Sequence, residues 1–480
     1  MLLDDESTKT TCAITWLHVI RWHSEFLKPY IIFFSTQTKI QLIINRLFIM
    51  TRYSVISLIR VIQGIFYKDY YWSGGQKNLK QVDVLFISHL TNRDQIGKED
   101  DTYFGSFASQ LQQHATSLIA LIDHTKSFNT HKELNGWSGC SVSRVVLSRA
   151  VSFGDELSFY LAQQKERRRL KSCNIGHSQI AKKFISELRC QVLSPNTAST
   201  LRVAKQIQIL IKNVKPKCVV VTYEGQAWER LVCSTIKETD PSIQFFAYQH
   251  AAVFKFQHSM MRKLQNSFNP DVILTSGNIA KQQLEERGAR ALALVRVLGS
   301  EKSIKTPKTI DSLDSNKVCL VVPEGIESEC NMIFEFSIKC AIEHPNIQFI
   351  WRLHPFMSFT RLIDNNNRLK NLPNNIILST KSLVEDVSLS SYVLYRGSTA
   401  VVHAISSGVV PIYLSVDGEQ YINPLYECKY GNNIVQTISD FKNVVQLKFS
   451  KDVISSLKDY GGQFYTPFNK LVFLDLLEKR

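Results

Sequence analysis

Several short segments of the 480-residue chain place a chemistry-bearing side chain where an apolar run ends. In Arg352-Leu353-His354-Pro355, Pro355 stops the run and leaves His354 at its edge, where an imidazole can donate to a phosphate oxygen or, protonated, offset leaving-group charge. In Tyr395-Arg396-Gly397-Ser398-Thr399, Gly397 allows a tight turn and two hydroxyls fall where the next helix starts. Together with Arg396 and the free N–H groups of that helix start, they form a phosphate cradle; a plain Ser/Thr helix cap is the competing explanation. Val322-Pro323-Glu324-Gly325 offers a carboxylate for a sugar hydroxyl or amine, or a helix cap. Thr222-Tyr223-Glu224-Gly225 offers a carboxylate placed to take a proton from a hydroxyl. Tyr248-Gln249-His250 ends the neighbouring run, and Tyr223, Gln249 and His250 are expected on the acceptor side. His344-Pro345 is an internal control: it repeats the His-Pro pair before an apolar run, at the wrong end.

Alternating strands and helices must position these residues. The first series has strands at Val82–Ser88, 117–123, Cys218–Tyr223, Ile243–Gln249 and Asp271–Gly277, with helices at Tyr103–His114, Gly225–Thr239 and up to Arg287-Gly288. Residues 124–200 resist assignment, and the run Lys165–Lys171 reads as a solvated helix face. The second series has strands at Val318–Val322, Ile347–Arg352, Ile376–Leu378, Tyr392–Tyr395 and Val409–Leu414. Its helices are at Cys330–Glu343, Phe359–Leu369, Leu383–Leu389 and Ala400–Ser407. Near-continuous apolar strands alternating with helices predict parallel sheets covered on both faces. The expected α/β architecture is therefore two doubly wound Rossmann-like domains facing a cleft. The first spans 81–300 on the acceptor side and the second 317–455 on the nucleotide-binding side, with a polar linker at 301–316. Residues 1–80 form a helical extension, and 456–480 a helix placed to pack back on the first domain. In such sheets ligands bind at strand C-terminal ends.

Composition narrows the function classes. With 44% hydrophobic and 21% charged residues, the chain is that of a globular protein. A net charge of +15 suits an anionic partner: nucleic acid, an anionic membrane face or a phosphorylated small molecule. No basic recognition helix or stacking motif appears, so nucleic acid is set aside. The 10 cysteines are scattered, without a CxxC pair, which fits reduced buried side chains and no zinc site. Neither a signal sequence nor a bilayer-spanning run is read, and a cytoplasmic protein is expected. Between Thr10 and Lys68 basic residues alternate with aromatics and aliphatics. That pattern fits helices on an anionic membrane surface, at its inner face, or helices packed on the first domain. There is no GxxxxGK[ST] or GxGxxG motif, and no aspartate pair to hold a metal on a diphosphate. No metal and no cofactor are expected; a donor whose leaving group bears one phosphate needs less charge neutralised.

The residues resemble a known group. His354-Pro355 and Ser398-Thr399 are similar to the HP and S-S/T motifs of bacterial sialyltransferases and capsule Kdo transferases. Tyr223-Glu224-Gly225 looks like a partial version of their acidic-acidic-Gly motif, with Tyr223 where the first acid would stand. More broadly, Asp101–Gly105, Tyr223–Arg230, Tyr248–Ala251, Pro323–Gly325 and Tyr395–Thr399 resemble stretches of bacterial surface carbohydrate biosynthesis proteins. The resemblance implies a GT-B fold and metal-independent transfer of a CMP-activated nonulosonic or Kdo-like sugar to a glycan or lipid-linked acceptor. It implies that His354 and Ser398/Thr399 bind the CMP phosphate, with Glu224 as the base. The residues alone leave Glu324 open as the base, and a UDP- or GDP-sugar donor, a CDP-polyol donor or a non-catalytic scaffold open as functions.

Overall fold

The computed structural model describes residues 7–18, 39–66, 69–73, 79–125, 134–173, 178–303, 317–355 and 357–478. Among these residues the strands form two sheets. The first contains β1 (Tyr71–Trp72), β2 (Val84–Leu90), β3 (Ser117–Asp123), β4 (Ser143–Leu147), β5 (Cys218–Thr222), β6 (Gln244–Gln249), β7 (Val272–Thr275) and β8 (Leu294–Val297). Their spatial order is β1-β4-β3-β2-β5-β6-β7-β8, parallel throughout except for β1 against β4. The second contains β9 (Val318–Val322), β10 (Gln348–Trp351), β11 (Ile376–Leu378), β12 (Tyr392–Tyr395), β13 (Val410–Leu414) and β14 (Ile434–Val435). Its order is β11-β10-β9-β12-β13-β14, all parallel. Both orders reverse direction beside their first central strand, which opens a crevice at the strand C-terminal ends.

The central strands are apolar on both faces because helices cover both sides: every residue of β5, β9 and β13 is buried. In the first domain these helices include α1 (Lys9–Cys12), α2 (Thr15–His18), α3 (Lys39–Gln63), α4 (Phe107–Leu111), α5 (Phe153–Ser172), α6 (Gln179–Gln191), α7 (Pro195–Val214), α8 (Ala227–Thr239) and α9 (Asn278–Glu286). Helix α7 starts on Ser194, whose hydroxyl accepts from Thr197 N–H, followed by Pro195, whose missing N–H costs nothing there. The second domain carries α10 (Glu327–Glu343), α11 (Phe359–Asn365), α12 (Leu383–Leu389), α13 (Ala400–Ser406), α14 (Ile438–Gln446) and α15 (Lys451–Phe464).

Most expected elements lie within two residues of their observed bounds. The helices expected at Tyr103–His114 and Phe359–Leu369 are shorter, Phe107–Leu111 and Phe359–Asn365, and three regions differ further. The unassigned stretch 124–200 holds β4, α5, α6 and the start of α7. The Lys165–Lys171 run is not a wholly solvated face: Glu166 is 3% exposed, ion-paired with Arg169 at 2.8 Å and hydrogen-bonded by Thr11. The segment expected as one helix from 456 onward divides. Helix α15 packs on α13 of the second domain, with Gly461 set against Ser406. Helix α16 (Lys470–Glu478) packs into the first domain, where Phe473 sits 5.3–6.5 Å from the rings of Phe86, Phe107 and Phe246. Between them the chain is tied to the first domain by backbone bonds, Thr466 N–H to Ser276 (3.1 Å), Ser300 N–H to Thr466 (2.7 Å) and Asn469 N–H to Leu298 (2.7 Å). The expected linker lies outside the described residues beyond Ser303.

Of the two expectations for the amino-terminal segment, packing on the first domain is seen in the described residues. Cys12, Ala13, Ile14 and Leu17 enter the first domain's core. Helix α3 packs with Met50 and Tyr53 toward that core, and a second face stays exposed. Residues 19–38, which carry Arg21, Trp22, Lys28 and Tyr30, lie outside the described residues.

Candidate functional site

Adjacent strands of the second sheet bring three expected segments to one edge. After β9 come Glu324 and Gly325, after β10 His354 and Pro355, and after β12 Arg396 through Thr399; these strands are neighbours in the order β10-β9-β12. Two glycines explain how closely the loops meet. A Cβ on Gly325 would lie 2.7 Å from His354 Nδ1, and one on Gly397 would collide with the Glu324 carboxylate. Glycine therefore lets His354 lie against one turn and Glu324 against the other. Thr399 precedes α13 at φ −73° and ψ −5°, and its hydroxyl does not cap the helix. The simple-cap explanation is thus excluded for Thr399. His344 of the control pair ends α10 ahead of β10, at the opposite edge, its ring 5.8 Å from Phe441.

Arg396 departs from expectation. It is 2% exposed, and its guanidinium donates to Glu329 Oε2 at 2.6 Å and to the Leu414 carbonyl at 3.3 Å. Its charge is thus committed to a buried ion pair that ties the β12 turn to α10, because leaving either partner unpaired there is costly. It is a support of the turn rather than a phosphate ligand.

The first sheet presents a facing row. In the order β3-β2-β5-β6, the strand ends carry His124, His89, Thr222 with Glu224, and His250. His89 bridges two of them, with Nδ1 3.0 Å from His124 Nε2 and Nε2 3.0 Å from the Thr222 hydroxyl. The rings of Tyr103 and Trp228 close around it at 5.3 Å, and Tyr103 also meets the His250 ring edge-on at 4.9 Å. Asp101 shapes this loop by accepting from the N–H groups of Tyr103 and Phe104 at 2.8 and 2.9 Å. Glu224 is half-buried and accepts from the Gln226 amide at 2.9 Å. Its own N–H donates to the Glu229 carboxyl, 2% exposed, whose pKa burial and the Glu224 charge push up to about 8. Gly225, at φ +77°, makes the turn and lies against the Ser259 backbone.

Two expected acceptor-side residues are not in the cleft. Tyr223 is 1% exposed, its ring under the Arg230 guanidinium at 5.3 Å, and Arg230 in turn donates to the carbonyls of Ser259, Met260 and Arg262. The tyrosine continues the strand into the core and cannot meet an acceptor. Gln249 is likewise 1% exposed, and its amide turns back to the Ala251 carbonyl.

Lys302, in the segment read as a linker, lies close enough for its charge to act on histidines of both rows. Gly105, at φ +54°, and Ser106, whose hydroxyl donates to Glu301 at 2.7 Å, hold the preceding residue. The ammonium stands 5.5 Å over the Tyr465 ring. Burial, then the Lys302 charge, hold His354 below the ordinary histidine value and His403 down to about 4. Burial also takes His250 to about 4, with Glu224 pulling up and Lys302 pushing down. At neutral pH these imidazoles are uncharged, so His354 offers an N–H and the positive charge belongs to Lys302. Among the described residues no group of three or more His, Cys, Asp or Glu side chains could hold a metal.

The chain has two α/β domains, each built on a mostly parallel sheet. No protein-family model matches it, and no curated protein matches it significantly. Among solved structures it is similar to the glycotransferase of kitacinnamycin, at TM-score 0.49 and 10% identity over 83% of this chain and 99% of that one. It is also similar to MurG of Acinetobacter baumannii, at TM-score 0.47 and 10% identity over 83% and 100%. A third is the UDP-GlcNAc 2-epimerase of Neisseria meningitidis bound to UDP-GlcNAc, at TM-score 0.45 and 13% identity over 83% and 100%.

Proposed function

We propose that the protein is a glycosyltransferase that binds a nucleotide-activated sugar on its second domain and an acceptor hydroxyl on its first. The observation that carries this reading is the convergence of Glu324-Gly325, His354 and Gly397-Ser398-Thr399 at one sheet edge, with Lys302 close enough for its charge to act on His354 there and on His250, which shares the other row with Glu224. The hydroxyls of Ser398 and Thr399, the N–H of His354 and the Lys302 ammonium supply donors and a single positive charge to a leaving phosphate. That suits a cytidine monophosphate leaving group better than a diphosphate, hence a CMP-activated nonulosonic or Kdo-like sugar in surface glycan synthesis.

In the proposed reaction Glu224 takes the acceptor hydroxyl proton as the oxygen attacks the anomeric carbon. The bond from that carbon to the phosphate oxygen breaks on the opposite face, inverting the configuration, and CMP leaves with the electron pair. Glu324, set against Gly397 within the donor half, is left to hold the sugar or nucleotide. Buried Glu229 fixes the Glu224 backbone and keeps its own proton near neutrality, so it does not compete as base.

The test is to measure CMP release from CMP-sugars, with thermal shifts for CMP, UDP and GDP. The Glu224→Gln protein should bind CMP normally while transfer falls roughly 10²–10⁴-fold. A shift with UDP or GDP and none with CMP would reject the donor assignment. Undiminished transfer by Glu224→Gln would reject the base.

A further inference from the structure

Helix α3 presents an apolar stripe to solvent. Ile44, Leu47, Phe48, Val55, Leu58, Ile59 and Ile62 are 48–69% exposed, recurring at spacings of three, four and seven residues that put them on one face. Ile65 and Phe66, just beyond the helix, continue the stripe at 59% and 79%. The opposite face is anchored: Met50 accepts from Arg167 of α5 at 3.8 Å, and Arg46 lies 3.9 Å from Glu187 of α6. A stripe running from Ile44 to Ile62 is roughly 27 Å long at 1.5 Å per residue. Leaving that many aliphatic side chains in water is costly, so the face is built to be covered.

The surrounding charge selects the cover. Helix α3 exposes Arg52 beside the stripe and its sequence holds no acid. On α5 and α6, packed against it, Lys165, Arg168, Lys171 and Lys182 are exposed, as are Leu161 (57%) and Ile180 (65%). Every acid on these two helices is matched by a base: Asp155 by Lys205, Glu156 by Arg202, Glu166 by Arg169 and Glu187 by Arg46. The unmatched charge around the stripe is thus positive, which opposes pairing with a second copy and favours an anionic surface. No helix among the described residues is long and apolar enough to cross a membrane.

We propose that α3 lies flat on an anionic lipid surface, its apolar stripe at the acyl boundary and the exposed Arg52, with the exposed basic residues of α5 and α6, among the headgroups. The test uses the full chain and vesicles of phosphatidylcholine, with and without phosphatidylglycerol, in a flotation assay. Binding should be at least about tenfold stronger to the anionic vesicles, since each basic residue near such a surface contributes about 1 kcal/mol. The triple variant Leu47→Glu, Leu58→Glu and Ile62→Glu should lose that binding and, as these positions are exposed, keep the wild-type melting temperature and CMP-induced shift. Equal flotation of wild type and variant overturns the proposal. So does a wild-type chain that floats with neither vesicle; a dimer that the triple variant splits would then assign the face to a second copy.

Discussion

Arg396 shows how a residue can be placed correctly and given the wrong task. Its position at the end of β12 was legible, because an apolar run ends there before a glycine. Its orientation was not, because the carboxylate that claims it, Glu329, lies on α10 and is brought near only by the fold. Tyr223 and Gln249 fail for a related reason: whether a strand's last residue faces the crevice or the core depends on packing partners distant in sequence. His89 and His124 were within reach of the strand-end rule and were missed because β2 was ended at Ser88 and Asp123 was not followed by one more residue. Lys302 gave no local signal at all, standing in a polar stretch without periodicity. For the Arg396–Glu329 pair, with side chains 3% and 2% exposed, Arg396→Ala should destabilise the protein by about 3–5 kcal/mol in a denaturant titration. The double change Arg396→Met with Glu329→Gln should cost clearly less, since it leaves no buried charge. Equal losses in the two proteins would show that packing, rather than the stranded carboxylate, sets the cost.

At the level of elements, strands were read well where both faces are buried. The bounds of β9 and β12 coincide with those expected, since continuous apolar runs between turn residues admit few registers. Edge strands β1, β8 and β14 have half-exposed residues and weak apolar runs, so they carried little signal. The candidate site depends on turns rather than on strands, and Gly325 is where the turn meets His354 most closely. Gly325→Ala would drive a methyl into His354, displacing the imidazole from the proposed phosphate position. Nucleotide affinity should fall roughly 10- to 100-fold by calorimetry, while the circular-dichroism melting curve stays close to wild type. Unchanged affinity would show that His354 does not position the donor.

At the scale of the molecule, the two domains are stitched together by the segment between α15 and α16. It runs back beside Gly277 and Gly299, where any side chain would strike the backbone of residues 463–468. Helix α16 then completes the aromatic cluster beneath the first sheet, with Phe473 fully buried. Phe473→Ala should cost about 3–5 kcal/mol. Hydrogen exchange should show the loss in β2 and β6 of the first domain, with β9 and β12 of the second less affected. A loss confined to the second domain would contradict this assignment.

Helix α16 also fixes an order of events during synthesis. The strands of the first domain leave the ribosome early, but the helix that fills their aromatic pocket follows the whole second domain. At 5–20 residues per second, Phe86, Phe107 and Phe246 wait on the order of ten seconds or more for Phe473. Over that interval the growing chain exposes an oily hollow that a chaperone would recognise, and the domain made first is among the last to be finished.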